Sequence, residues 1–70
     1  MSLIPVASSN LAAIGYSPFG AILTVAFHSG GVYQYSGVPR ELYFGLMRAE
    51  SHGRFFWAFI RNRYPYRRIA

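Results

Sequence analysis

The first 39 residues contain no Asp, Glu, Lys or Arg, and Gly, Pro, Ser or Asn interrupts them every few positions. Such a half-chain is membrane-like in its lack of charge, yet none of its apolar runs approaches the ~20 residues of a membrane-crossing helix. It is suited to short strands joined by turns. Leu11–Tyr16 leads into Ser17-Pro18-Phe19-Gly20, which fits a type I turn with Pro setting the second position. Ala21–His28 follows as a strand, with Leu23, Val25 and Phe27 on one face. Ser29-Gly30-Gly31 then reverses the chain. As a three-residue loop it pairs His28 with Val32 and Phe27 with Tyr33, so Tyr33 and Tyr35 join the same apolar face, and Gly31 takes the left-handed position.

Seventy residues limit the chain to one domain, residues 1–70. Hydrophobic residues make up 53% and charged residues 13%, the reverse of a disordered composition, and six Tyr, six Phe and one Trp supply bulky core material. With no cysteine there is no disulfide framework, thiol nucleophile or thiolate zinc site, so stability rests on packing or self-association. The opening residues lack a basic segment and Pro5 interrupts them. The chain therefore reads as cytoplasmic, without an export signal or membrane association.

The pattern changes at Val38-Pro39. Pro at a first helical position, Glu41 in the first turn, and Leu42, Leu46 and Ala49 at helical spacing predict a helix over Pro39–Ala49, which Gly45 weakens by roughly 1 kcal/mol. Ser51 is placed to cap a second helix through the Gly53 or Arg54 amide. Within Phe55–Ile60, a helical period puts Phe55, Phe56, Phe59 and Ile60 on one arc and Arg54, Trp57, Ala58 and Arg61 on the other. A strand would mix arginine with aromatics on both faces, so the helix is preferred. Tyr64–Ile69 reads as extended, with Pro65 confining it to an edge.

The seven arginines, with no lysine and only two glutamates, give a net charge of +5. Residues 51–70 hold Arg54, Arg61, Arg63, Arg67 and Arg68 and no acid. A cationic block of this kind suits a polyanion, nucleic acid above all.

The order of Val6-Ala7-Ser8-Ser9, Gly15-Tyr16, Phe27-His28-Ser29-Gly30-Gly31-Val32-Tyr33-Gln34-Tyr35, Val38-Pro39, Ser51-His52-Gly53-Arg54-Phe55-Phe56 and Ile60-Arg61-Asn62-Arg63-Tyr64-Pro65-Tyr66 resembles the KTSC domain over nearly the whole chain. The family takes its name from the C-terminus of some lysyl-tRNA synthetases and also occurs as short free-standing bacterial and phage proteins. Two positions depart from its pattern: His52 stands where Lys is usual, and Trp57 where Asn is usual. The resemblance implies a small, bent antiparallel sheet of the Sm-like or small-barrel type, and nucleic-acid binding is the role usually conjectured for it. Joined to the element order above, the expectation is an α+β fold with two helices after the third strand and a C-terminal strand.

Arg54, Trp57 and Arg61, spaced i, i+3, i+7, form the sharpest constellation: guanidinium groups meet phosphates while an exposed indole stacks on an unpaired base. Arg63, Arg67 and Arg68 alternate with Tyr64 and Tyr66, a mixture that suits RNA, although the two tyrosines also serve as core. Tyr33 and Tyr35 read as core. The titratable groups Glu41, Glu50, His28 and His52 form no recognisable catalytic or metal-ligating pattern, and Gly30-Gly31 lacks the Gly-Lys-Ser/Thr of a phosphate loop. The sequence therefore predicts a non-enzymatic module without a cofactor or small-molecule substrate, binding single-stranded RNA through Arg54, Trp57, Arg61, Arg63, Arg67 and Arg68. The alternative is a homo-oligomeric interaction module whose arginines keep an apolar surface soluble.

Overall fold

Alternation of small or polar residues with large apolar ones makes the uncharged half a sheet, and a computed structural model describes it over residues 3–70. Four strands, β1 (Ile4–Pro5), β2 (Leu11–Ser17), β3 (Ile22–Phe27) and β4 (Val32–Tyr35), precede helices α1 (Arg40–Arg48) and α2 (His52–Phe59), and β5 (Tyr66–Arg68) closes the order. All strands pair antiparallel in the order β1-β2-β3-β4-β5. The fold is α+β as expected, and its sheet is open: β1 and β5 are its edges and do not pair with each other. The helices follow the third strand of the β2-β3-β4 meander. Two-residue β1 is an addition to the sequence reading, and Pro5 is tolerated there because the strand lies at an edge.

Leu11 and Ile14 are both fully buried although three positions apart, a spacing that sends side chains to opposite faces of a regular strand. The register explains this. Leu11 opposes Phe27 whereas Ala13 opposes Ala26, so Ala12 is an extra residue that returns Leu11 to the core face.

Both turns are shifted from their expected places. In the first, the Ala21 amide meets the Pro18 carbonyl at 3.4 Å, and Gly20 and Ala21 take positive φ values of 80° and 54°. In the second, Val25 opposes Tyr33 and Leu23 opposes Tyr35, two residues from the expected register. The parity is unchanged, so the apolar face survives intact. Gly30 (φ 110°), not Gly31, takes the left-handed position. Gly31 instead lies beneath the Tyr33 ring, where a Cβ would sit 2.8 Å from Cε1.

The helices cover the face bearing Leu11, Ile14, Leu23, Val25 and Tyr35, to which Leu46, Phe56 and Ile60 are added. Pro39 is the N-cap of α1, in extended conformation, and not its first helical residue. Ser51 caps α2 as expected, its Oγ accepting from the Arg54 amide at 3.2 Å. Tyr16 fastens α1 to the sheet: its hydroxyl donates to the Val38 carbonyl at 2.6 Å and its ring stacks on Tyr43. On α2, Phe56 and Ile60 are buried, but Phe59 is 47% exposed, since its ring leans on Phe55 instead of entering the core. No helix among the described residues is long and apolar enough to cross a membrane.

Gly45 marks the close approach of the helices, because a Cβ there would lie 2.7 Å from Phe55 Cζ. Gly45→Ala is expected to destabilise by about 1 kcal/mol, the overpacking cost exceeding the gain of about 1 kcal/mol in helix propensity. Thermal unfolding checks this: the loss should shrink in a Phe55→Leu background, and an unchanged cost there would contradict the contact.

Candidate nucleic-acid interface

Burying Phe56 turns the next residue outward. Trp57 is 56% exposed, and Arg54 lies one helical turn before it, also on the solvent side. Arg61 reaches the indole from beyond the helix, because the amides of Ile60 and Arg61 both donate to the Phe56 carbonyl at 3.0 and 2.9 Å and end the helical spiral. Its Cζ lies 3.8 Å from the ring centroid, a cation–π contact over one indole face. The expected trio is thus assembled, with Arg61 supplied by a turn and not by the helix.

Trp57 borders three adjoining depressions. One, of about 510 Å³, is shared with Arg54, His52 and the Ser8-Ser9-Asn10 segment. A second, of about 260 Å³, lies between Arg61, Asn62 and the tyrosines of the sheet. The third, of about 320 Å³, opens toward Asn10, His28 and Ser29. The Ser8 segment is held in place by Ser8 Oγ, which accepts from the Asn10 and Leu11 amides, and by His28 Nε2–H, which donates to the Ser8 carbonyl at 2.9 Å. His52 Nδ1–H donates to the Leu46 carbonyl at 2.7 Å, so this ring joins the start of α2 to the end of α1.

The register of β4 with β5 sets Tyr66 against Tyr35 and Arg68 against Tyr33, while Arg67 opposes Gln34 on the other face. Arg67 therefore points away from the face that carries Arg68 and the tyrosines. Arg63 Nε donates to the carbonyl of Ala58, the neighbour of Trp57, at 3.2 Å. Arg68 Nε donates to the Ala70 carbonyl at 2.8 Å. No arginine is held in an ion pair among the described residues.

Tyr33 and Tyr35 belong to the core side, as the sequence indicates, yet their rings also carry Tyr66, at centroid distances of 5.8 and 5.3 Å. Tyr66 is 58% exposed, so the core grades into the surface as a ladder of phenols. Tyr64 is the more buried of its pair and packs on the core. Sequence reasoning weighed Tyr66 both as part of an RNA-suited stretch and as core, and it left out Asn62 and Ser8-Ser9-Asn10 as surface-lining residues. These are joined to Trp57 only by tertiary packing. Burial pushes the Tyr35 hydroxyl above the ordinary tyrosine value, the neighbouring Tyr66 adds to this, and Arg61 partly offsets it.

The model of the KTSC domain matches residues 7–64. The chain belongs to this family. A KTSC domain protein of Yersinia pestis, solved as a crystal structure, superposes with a TM-score of 0.96 at 39% identity, covering 99% of this chain and 97% of that one. An uncharacterized protein of Stutzerimonas stutzeri is 41% identical over 99% of both chains. A lysine–tRNA ligase of Nostoc is 34% identical over 89% of this KTSC domain, which spans 11% of that protein.

The elevated Tyr35 value has a consequence for stability. The folded state favours the neutral phenol, so the contribution is complete below about pH 10 and is lost as pH rises above it, because the unfolded chain ionises first. Urea midpoints measured between about pH 9 and 11 should fall less steeply for Tyr35→Phe than for the parent chain; equal slopes would contradict the assignment.

Proposed function

We propose that this KTSC domain is a non-catalytic module that binds single-stranded RNA through the surface centred on Trp57, with Arg54, Arg61, Arg63 and Arg68 as its phosphate contacts. The observation that carries this reading is the exposed indole with a guanidinium stacked on it and a second arginine one turn away. An unpaired base has the indole face opposite Arg61 available, and arginines with no carboxylate partner among the described residues keep their charge for phosphate. The similarity to part of a lysine–tRNA ligase, a protein named for its action on tRNA, supports the same ligand class, and a cytoplasmic setting accords with it. Arg67 lies outside this surface and is not assigned a role in it.

Short single-stranded RNA should quench Trp57 fluorescence at low salt, with affinity falling as salt rises by a log–log slope of about −0.7 per phosphate contact. Trp57→Ala should cost about 1–3 kcal/mol of binding, read by anisotropy of a labelled oligomer. Arg67→Ala should weaken binding less than Arg54→Ala. No binding at low salt would overturn the proposal.

A second reading is self-association, and one feature favours it. Glu41, Phe44 and Arg48 lie exposed along one stripe of α1, with Phe44 49% exposed. A two-fold axis near Phe44 and Gly45 would set Glu41 of each copy against Arg48 of the other, around a central Phe44 pair. On this reading light scattering gives twice 7.9 kDa. Glu41→Arg alone breaks the pair and Glu41→Arg with Arg48→Glu restores it; a parent mass of 7.9 kDa removes the idea.

A further inference from the structure

We propose that the 260 Å³ groove between the tyrosine ladder and the turn after α2 is a subsite for one unpaired nucleobase, read at its polar edge by Asn62 and Tyr35. The inference rests on the RNA-binding reading and assigns part of that surface a more specific task. The groove is smaller than the roughly 300–1,000 Å³ sites that take drug-sized ligands, so it suits one flat ring system and not two. Tyr66 lines one part of it, and Trp57 with its stacked Arg61 lines another, both as planar groups. Planar walls favour a planar occupant.

Tyr35 supplies the independent observation. The residue is only 4% exposed, yet its hydroxyl has no hydrogen-bond partner among the described residues. Among the described residues no buried side-chain oxygen or nitrogen is left unsatisfied, so that hydroxyl must reach open space, and the groove is the space that Tyr35 lines. A phenol otherwise enclosed by Phe56 and the sheet thus offers one donor and one acceptor to an occupant.

Asn62 stands at the lip with φ 66°. Glycine would adopt that conformation without strain, whereas asparagine adds an amide with both donor and acceptor capacity at the groove. Its amide has no partner among the described residues. Arg61 decides the ligand's charge: an aromatic-walled groove otherwise suits an organic cation, but a guanidinium already inside it repels one. A neutral heteroaromatic ring followed by phosphate satisfies both the walls and the charge, with Arg68, opposite Tyr33, near the same ladder.

The test compares eight-residue homopolymers of A, C, G and U by anisotropy, using the parent chain, Asn62→Gly and Tyr35→Phe. Glycine suits the turn, so Asn62→Gly should keep or raise the melting temperature. The parent should prefer its best homopolymer over its worst by about tenfold, and Asn62→Gly should flatten that preference while leaving the salt dependence unchanged. Tyr35→Phe should also reduce the preference. Salt-dependent binding of all four polymers with equal affinity, or a preference unchanged in both variants, would overturn the subsite and leave the RNA reading standing. Absence of binding by every polymer at low salt would overturn the RNA reading and the subsite with it.

Discussion

Phe56 is the contact on which the arrangement depends. Its ring meets Phe27 of β3 and Tyr35 of β4 edge-on, at centroid distances of 5.6 and 5.2 Å, and so presses α2 onto the centre of the sheet. Edge-to-face geometry resists rotation of the helix about its own axis more than an aliphatic contact would, because the preferred orientation is restricted. With ~100° between successive helical residues, fixing Phe56 inward leaves Trp57 no choice but solvent. The exposed indole follows geometrically from the core, and it costs the fold little because Arg61 covers part of it.

Much of this was legible in the chain. The segregation of Phe56 and Ile60 from Arg54 and Trp57 is a local property of 3.6-residue periodicity, and the cap at Ser51 needs only its neighbours. The face shared by Leu23, Val25, Tyr33 and Tyr35 was readable because loop parity alone decides it, even with the register displaced by two. What escaped was non-local. The bulge at Ala12 exists because Leu11 and Ile14 must both reach the core, a demand visible only when β3 lies beside them. The burial of Gly31 beneath Tyr33 likewise decides which glycine turns, and depends on a ring two residues away. Arg67 was grouped with its neighbours by proximity in sequence; strand pleating sends it to the opposite face.

The charge distribution has a structural logic of its own. The chain carries +5 and builds no ion pair among its described residues, so the arginines contribute little to holding the fold and something to opposing it through mutual repulsion. Two are instead partly satisfied by carbonyls: Arg63 at Ala58, near the negative end of α2, and Arg68 at Ala70. Such contacts orient a guanidinium without neutralising it. Surface cations kept in this state lose little when an anion arrives, since among the described residues no carboxylate partner has to be displaced.

The two sides of the small aromatic groove differ in how firmly they are mounted. Trp57 and Arg61 are anchored by a capped helix whose core residues are fully enclosed, whereas Tyr66 belongs to a three-residue edge strand with every residue exposed. Short, exposed pairings open at lower free energy than buried ones. One wall of the groove is therefore firmly mounted and the other less so, and the Tyr66 side opens at a lower free energy than the Trp57 side.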